Sequence, residues 1–315
     1  MNFNEEEVMI DGQVKIGTTI TYPNKDKKNP AIVIIMGTGK LDRDGNGLGA
    51  HWDLYKNMAA MFAEWGYVSL RYDKRGTHKS GGDFNTAGLD DLVNDAISVI
   101  EYAKSLEYVD ENNVFVFGHS EGSMIATILS KKEDVAGLIL AGGAATCLRE
   151  ALHYQQMLVD KEANETKGLK GMLLRKTASA EKTNAKTEAI FQKCNDTDED
   201  SVRVSGMKMS AKWFRDHDSY TSDDFADMIK TFGKPVLAIT GTADIHMDYH
   251  RLDVLKDCEK IKVYTPENVN HILREIDDDN KITNVKKQYA RLASKPMHQD
   301  TQDTIHSWLT SISGI

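Results

Sequence analysis

A chain of 315 residues is long enough for one large α/β domain with an insertion or for two ordinary domains, and 40% hydrophobic with 28% charged residues is the balance of a globular protein with a substantial core. The formal net charge of −9 argues against a nucleic-acid partner, because phosphate binding needs a surplus of Lys and Arg. Cys147, Cys194 and Cys258 are odd in number and widely spaced, which excludes a disulfide framework and a Cys-x-x-Cys metal site.

The start, "MNFNEEEVMI", is acidic where a secretory leader would be basic, and no apolar run approaches the ~20 residues of a membrane span. With the isolated cysteines this leads us to expect a cytoplasmic protein with no membrane partner. "VMIDGQVKIGTTITYP" reads as two short strands with Asp11-Gly12 between them, a hairpin at the edge of a sheet. Apolar runs then alternate with helical patterns: "AIVIIM" (31–36), a helix around 51–65, "YVSLR" (67–71), a helix around 87–105, "VFVFG" (114–118), a helix after Ser120, and "VAGLILAGG" (135–143). Such alternation marks βαβ units and a parallel sheet. Between 146 and 232 the apolar positions fall at helical spacing and no strand is expected; the highly charged part, 160–200, is expected to be exposed and mobile. "KPVLAITG" (234–241), a short helical stretch at 248–257 and "KIKVYT" (260–265) restore the rhythm before a C-terminal helix at 297–312. The pattern predicts a mostly parallel, doubly wound sheet with an N-terminal antiparallel hairpin. Residues 1–145 and 233–315 would form its core and 146–232 an inserted helical lid.

Within this frame, Gly118-His119-Ser120-Glu121-Gly122 matches Gly-x-Ser-x-Gly between an apolar run and a helix former, the context of a nucleophile elbow. Small residues flank the serine because a strand turning sharply into a helix forces strained angles and close approach. A serine hydroxyl needs a base, and the base an acid to orient it. Asp244 stands in the loop after one late apolar strand and His271 in the loop after the next, both at the carboxyl edge of the sheet, in the order Ser, Asp, His. Asp248 and Asp253 are alternative acids, and a helix N-cap is the ordinary reading of Asp244. His246 and His250 stand four apart, but no third metal ligand is evident.

"IMGTGKLDRDGNG" (35–47) admits several readings. A phosphate loop fails, since Lys40 is followed by Leu41 and the earlier glycine is missing. Asp42, Asp44, Asn46, Gly47 and Asp53 copy calcium-loop positions, yet a strand precedes them where a helix is required; turn and backbone hydrogen bonds are their more ordinary role. An oxyanion site is the third reading.

The elbow, together with "RYDKRGTHKSGG" (71–82), "GTADIHM" (241–247) and "NVNHIL" (268–273), resembles the α/β-hydrolase superfamily, and more narrowly its bacterial serine carboxylesterases of the peptidase-like, lid-bearing branch. The resemblance spans about residues 5–313. Ser123, where relatives often have glycine, and His78, where a small residue is more usual, depart from it; the first bears on elbow packing, the second on the pocket rim. It implies an α/β-hydrolase fold and an oxyanion hole made of the Glu121 N–H and one N–H of the loop after the third strand, that of Thr38 or Gly39. It also implies acyl transfer from a small-molecule ester through Ser120, with no cofactor or metal. Serine at the elbow argues against the Asp-based haloalkane and epoxide chemistries and the Cys-based dienelactone type. Leu148, Leu152, Tyr154, Gln155 and Met157, at the start of the lid, are candidates for an acyl pocket, with Tyr154 and Gln155 as substrate contacts, or else for lid core. Arg43, Lys74 and Arg75 read as charges near the cleft mouth or simply on the surface. Short-chain or aryl acyl esters are the first expectation; an amidase or peptidase, or a low-turnover binding protein, are the alternatives, and a homodimer stays open.

Overall fold

The computed structural model describes residues 3–47, 51–177 and 180–314. Strands β1 (Asn4–Asp11) and β2 (Lys15–Tyr22) pair antiparallel over their whole length. The hairpin is thus the expected one, but Asp11 pairs with Lys15 and the turn is Gly12 to Val14, one residue later than the Asp-Gly signal suggests. Strands β3 (Asn29–Ile35), β4 (Val68–Tyr72), β5 (Val109–His119), β6 (Gly137–Ala141), β9 (Val236–Ile239) and β10 (Ile261–Tyr264) complete an eight-stranded sheet in the order β1-β2-β4-β3-β5-β6-β9-β10. All neighbours from β4 to β10 run parallel.

Every residue of β3 is buried because helices cover both faces, as a parallel sheet requires. Its side chains alternate: Ala31, Val33 and Ile35 pack with helices α2 (Leu89–Ser105) and α3 (Glu121–Leu129), and Ile32 and Ile34 with α1 (Leu54–Glu64) and α10 (Gln299–Ser313). The chain builds outward from β3 in one direction through β4 and in the other through β5, so β3 and β5 flank the point where the winding reverses. A crevice opens there at the carboxyl ends of the strands, the usual place for ligands in such sheets.

Between β6 and β9 lie α4 (Leu148–Glu165), α5 (Gly168–Thr177), α6 (Ala180–Asn195), α7 (Ala211–Asp218) and α8 (Ser222–Lys230). The expectation that this stretch lacks strands is wrong: β7 (Ser201–Val204) and β8 (Met207–Ser210) form a hairpin. Its turn, Ser205-Gly206, has φ of 50° and 85°, the left-handed pair a two-residue hairpin demands. The strands are only four residues each and half exposed, too short and polar to announce themselves. α5 and α6 carry about half of the charged residues of 160–200, yet Phe191 and Cys194 are buried, with Phe191 edge-on to Phe214 of α7. α8 joins the main core beside α3 through Phe225, Ala226 and Ile229, and α4 does so through Ala151. A further helix, α9 (Val285–Leu292), occupies a stretch for which no element was expected. Among the described residues no helix is long and apolar enough to cross a membrane.

Candidate active site

β5 ends in the elbow. Ser120 has φ 57° and ψ −122°, a region that costs a non-glycine residue on the order of 1–3 kcal/mol and persists only where the surroundings enforce it. They do: a Cβ on Gly118 would come within 2.3 Å of the Gly122 carbonyl oxygen, and one on Gly122 within 2.1 Å of the Ile35 carbonyl oxygen. Only glycines let helix α3 start so close to β3. Ser123, the departure from glycine, fits this packing, its buried hydroxyl donating to the carbonyls of Gly118 (2.9 Å) and Ala141 (3.1 Å).

Asp244 follows β9 and His271 follows β10; both are buried, and His271 Nδ1 is 2.7 Å from Asp244 Oδ2. The other carboxylate oxygen accepts the N–H groups of His246 (2.8 Å) and Met247 (3.0 Å). Burial alone would raise the Asp244 carboxyl, but His271 and the donors of the 246 turn hold it below the usual range, so it is a carboxylate and Nδ1 of His271 carries the proton. Nε2 is the ring nitrogen left unengaged by Asp244. Ser120 and His271 line one cavity of about 480 Å³ together with Gly37, Thr38, Glu121, Leu148, Leu152 and Gln155. Of the three residues expected to act together, Asp244 and His271 are hydrogen-bonded and Ser120 shares a cavity with His271.

His271 lies between two further imidazoles, with ring centroids 4.8 Å from His119 and 4.6 Å from His246. Burial first, and the neighbouring His271 second, push His119 down to about 3 and His246 down to about 4; both are neutral near pH 7. His119 Nε2 donates to the His271 carbonyl (2.8 Å), so its Nδ1 accepts from the Tyr55 hydroxyl (2.9 Å), which itself accepts the Gly37 N–H (2.9 Å). Neither His119 nor Tyr55 stood out in the sequence; the only signal for His119 was its place inside the elbow.

Several expectations for the surroundings are corrected. Tyr154 donates to the Asp244 carbonyl (3.3 Å) and is not part of the cavity lining, and Met157 is half exposed. Gln155 does line the cavity and also donates to the His246 carbonyl (3.2 Å). Arg43, Lys74 and Arg75 are neither on the surface nor free at a cleft mouth: Arg43 is buried against Asp73 (2.6 Å), Lys74 against Glu121 (2.6 Å), and Arg75 pairs with Asp95 (2.6 Å). Glu121 Oε1 also receives Trp213 Nε1 (2.5 Å) and His217 Nε2 (3.2 Å) of α7. Burial works against the charge of Glu121, yet Lys74 and His217 hold it far below the usual range. His78 is exposed and away from the cavity lining.

The calcium-like loop is held by its own bonds, as its residue types suggested. Asp42 accepts the N–H groups of Asp44 and Asn46, Asp44 pairs with Arg71 (2.7 Å), and the Asn46 amide bridges to Asp53 (2.8 Å). His250 is exposed and faces Asp253, whereas His246 is half-buried against His271. Among the described residues no group of three metal-ligating side chains forms.

Residues 45–259, which include Ser120 and Asp244, match the family model described as serine aminopeptidase, S33. The chain belongs to this family. A curated relative of this S33 member is Esterase EstD of Thermotoga maritima, 25% identical over 277 residues; the match covers 86% of this chain but only 60% of that protein's length. Among solved structures, Est1E of Butyrivibrio proteoclasticus with bound ferulic acid superimposes with a TM-score of 0.56 at 19% identity, covering 92% of this chain and 98% of that one. The Pyrococcus furiosus esterase Pf2001 gives 0.60 at 12% identity, covering 99% and 92%, and the α/β hydrolase GrgF of a Penicillium species 0.61 at 13%, covering both chains in full. At these identities the structures speak for the fold, which is that of an α/β hydrolase.

Proposed function

We propose that this S33 member is a serine hydrolase of carboxylic esters with short-chain or aryl acyl groups. The observation that carries the reading is the 2.7 Å His271–Asp244 pair facing the same cavity as a serine held at φ 57°. His271 takes the Ser120 proton as the hydroxyl attacks the ester carbonyl, Asp244 fixes the tautomer, and backbone N–H groups of Glu121 and of Thr38 or Gly39 stabilise the oxyanion. The alcohol leaves with the proton from His271; water activated by the same base then releases the acid. The names of EstD, Est1E and Pf2001 support an esterase. The two neutral imidazoles beside His271 support the mechanism as well, since an imidazolium forming there meets no second positive ring.

The core comprises 1–145 and 233–315, with 146–232 inserted as a cap; within that insert α8 packs as part of the sheet's covering layer, and α4 and α7 line the cavity. A second cavity of about 360 Å³, walled by Phe84, Met209, Trp213 and Phe214, adjoins the first at Thr38 and Glu121, giving room for an ester with a sizeable group on each side of the carbonyl.

The family's description favours peptide hydrolysis as the second reading. An aminopeptidase must hold a substrate ammonium, and among the described residues lining the main cavity Glu121 is the only carboxylate. It is already engaged by Lys74, Trp213 and His217, which favours the ester. Turnover of matched p-nitrophenyl esters and amino-acid p-nitroanilides by wild type and Ser120→Ala, with mass spectrometry after a fluorophosphonate probe, decides the matter. We expect ester turnover that is lost in Ser120→Ala and a label on Ser120; faster anilide cleavage would replace the reading with the peptidase, and no turnover with no label would end it.

A further inference from the structure

The buried ion pair beside the nucleophile joins two parts of the site that lie far apart in sequence. Lys74, in the loop after β4, places Nζ 2.6 Å from Glu121 Oε2 and 2.7 Å from the Gly37 carbonyl oxygen. Glu121 opens helix α3 directly after Ser120, and Gly37 opens the loop after β3. The described peptide bonds are all trans, so in the plane linking residues 37 and 38 the carbonyl and the next N–H point in opposite directions. A cation that fixes the Gly37 carbonyl therefore fixes the direction of the Thr38 N–H, away from the lysine. The neighbouring donor is spoken for, because the Gly37 N–H is bound to Tyr55. Thr38 lines the cavity into which Ser120 opens, whereas Gly39 lines only the adjoining one.

We infer that Lys74 is a positioning residue of the oxyanion hole: by holding the Gly37 carbonyl it aims the Thr38 N–H at the oxygen of the tetrahedral intermediate, opposite the N–H of Glu121. The inference rests on the serine-hydrolase reading above. It gives Glu121 two roles: its backbone supplies one donor, and its side chain, through Lys74, orients the other. Without Lys74 the carboxylate would also face the developing oxyanion as an uncompensated like charge, and the bonds from Trp213 and His217 spread what charge remains over α7. Lys74 touches no reacting atom, so its removal acts on the transition state and leaves the bound ester as it was.

The test uses p-nitrophenyl acetate and a boronic acid analogue of the intermediate with wild type, Ser120→Ala, Lys74→Met and the double variant Lys74→Met/Glu121→Gln. Turnover by wild type that Ser120→Ala abolishes is the first requirement; its absence overturns the serine-hydrolase reading and this inference with it. Given that turnover, we expect Lys74→Met to lower kcat about 10²-fold, the cost of one misplaced oxyanion donor. KM should stay within about threefold, and boronate affinity should fall in step with kcat. The double variant buries no lone charge, so it carries the test if Lys74→Met does not fold. A low kcat in a double variant with a wild-type Tm supports the positioning role. Recovery to the wild-type kcat means that Lys74 only neutralises Glu121 and overturns it, as does a Lys74→Met enzyme with unchanged kcat.

Discussion

Two imidazoles packed against His271, His119 buried and His246 half-buried, make the fold acid-sensitive in a window that can be worked out in advance. His119 and His246 have an ordinary pKa of 6.5, but in the folded chain they lie at about 3 and about 4. Both values are depressed, so below pH 6.5 the unfolded chain binds two protons that the folded chain refuses; the stability they contribute is fully present above that pH and is lost as pH falls toward the folded values. At pH 5 the linkage relation gives a loss of about 2 kcal/mol for each, about 4 in all relative to pH 8. Against a total of about 5–15 kcal/mol for a typical domain, that is a large fraction. Glu121 and Asp244 are also depressed, but from ordinary values of 4.5 and 3.8, so their share of the loss falls mainly below pH 5. Urea unfolding at constant ionic strength, followed by tryptophan fluorescence at pH 8, 6 and 5, measures the effect. In His119→Gln, whose amide can still accept from Tyr55 and donate to His271, the loss between pH 8 and pH 5 should shrink by about 2 kcal/mol. A wild-type stability that stays flat from pH 8 to pH 5, or a variant with an undiminished loss, would refute the claim that His119 is buried as the neutral base.

Tyr55→Phe strands the Gly37 N–H and His119 Nδ1, both bound to the hydroxyl; it should cost about 1–3 kcal/mol of stability, read by urea unfolding, and lower kcat for p-nitrophenyl acetate by loosening the loop that bears Thr38. Gly142→Ala puts a methyl 3.0 Å from His271 Nδ1 and 3.3 Å from Asp244 Oδ2 at a backbone φ of 61°. We expect about 1–2 kcal/mol of backbone cost and a kcat at least about tenfold lower as the pair is pushed apart, with fluorophosphonate labelling of Ser120 slowed by a similar factor.

The sheet was legible because strands buried on both faces appear as apolar runs, and 31–35 in β3, 114–117 in β5 and 137–141 in β6 are such runs. The order of Ser120, Asp244 and His271 was legible for a related reason: each follows a strand, and parallel strands end at one edge. The β7–β8 hairpin was missed because four half-exposed residues a side carry little periodicity, although Ser205-Gly206 was a turn signal. The charges of "YDKRG" were misread for a different reason. A lysine or arginine after a buried strand looks like the return to solvent, and the partner that keeps it inside lies 30 residues away for Arg43 and Asp73 and 47 away for Lys74 and Glu121. No local pattern encodes such a pairing. Tyr154 was misplaced because spacing along α4 tells which face a residue shares, not whether its hydroxyl finds a closer acceptor, here the Asp244 carbonyl.

The same distant pairings meet at Gly37. Its N–H leads through Tyr55 and His119 to the carbonyl of His271, and its carbonyl leads through Lys74 to Glu121. A side chain there would crowd the nucleophile, since a Cβ would lie 3.0 Å from Ser120 Cβ, so the loop must be held by its backbone alone. The two tethers differ in kind. The first is made of neutral groups and depends on His119 accepting a proton from Tyr55, which an imidazolium cannot do. The second is an ion pair whose carboxylate is held far below its usual range. Acid therefore releases the His119 tether first while Lys74 still grips the Gly37 carbonyl. The base and the oxyanion loop should thus lose their mutual register before the Thr38 amide loses its direction.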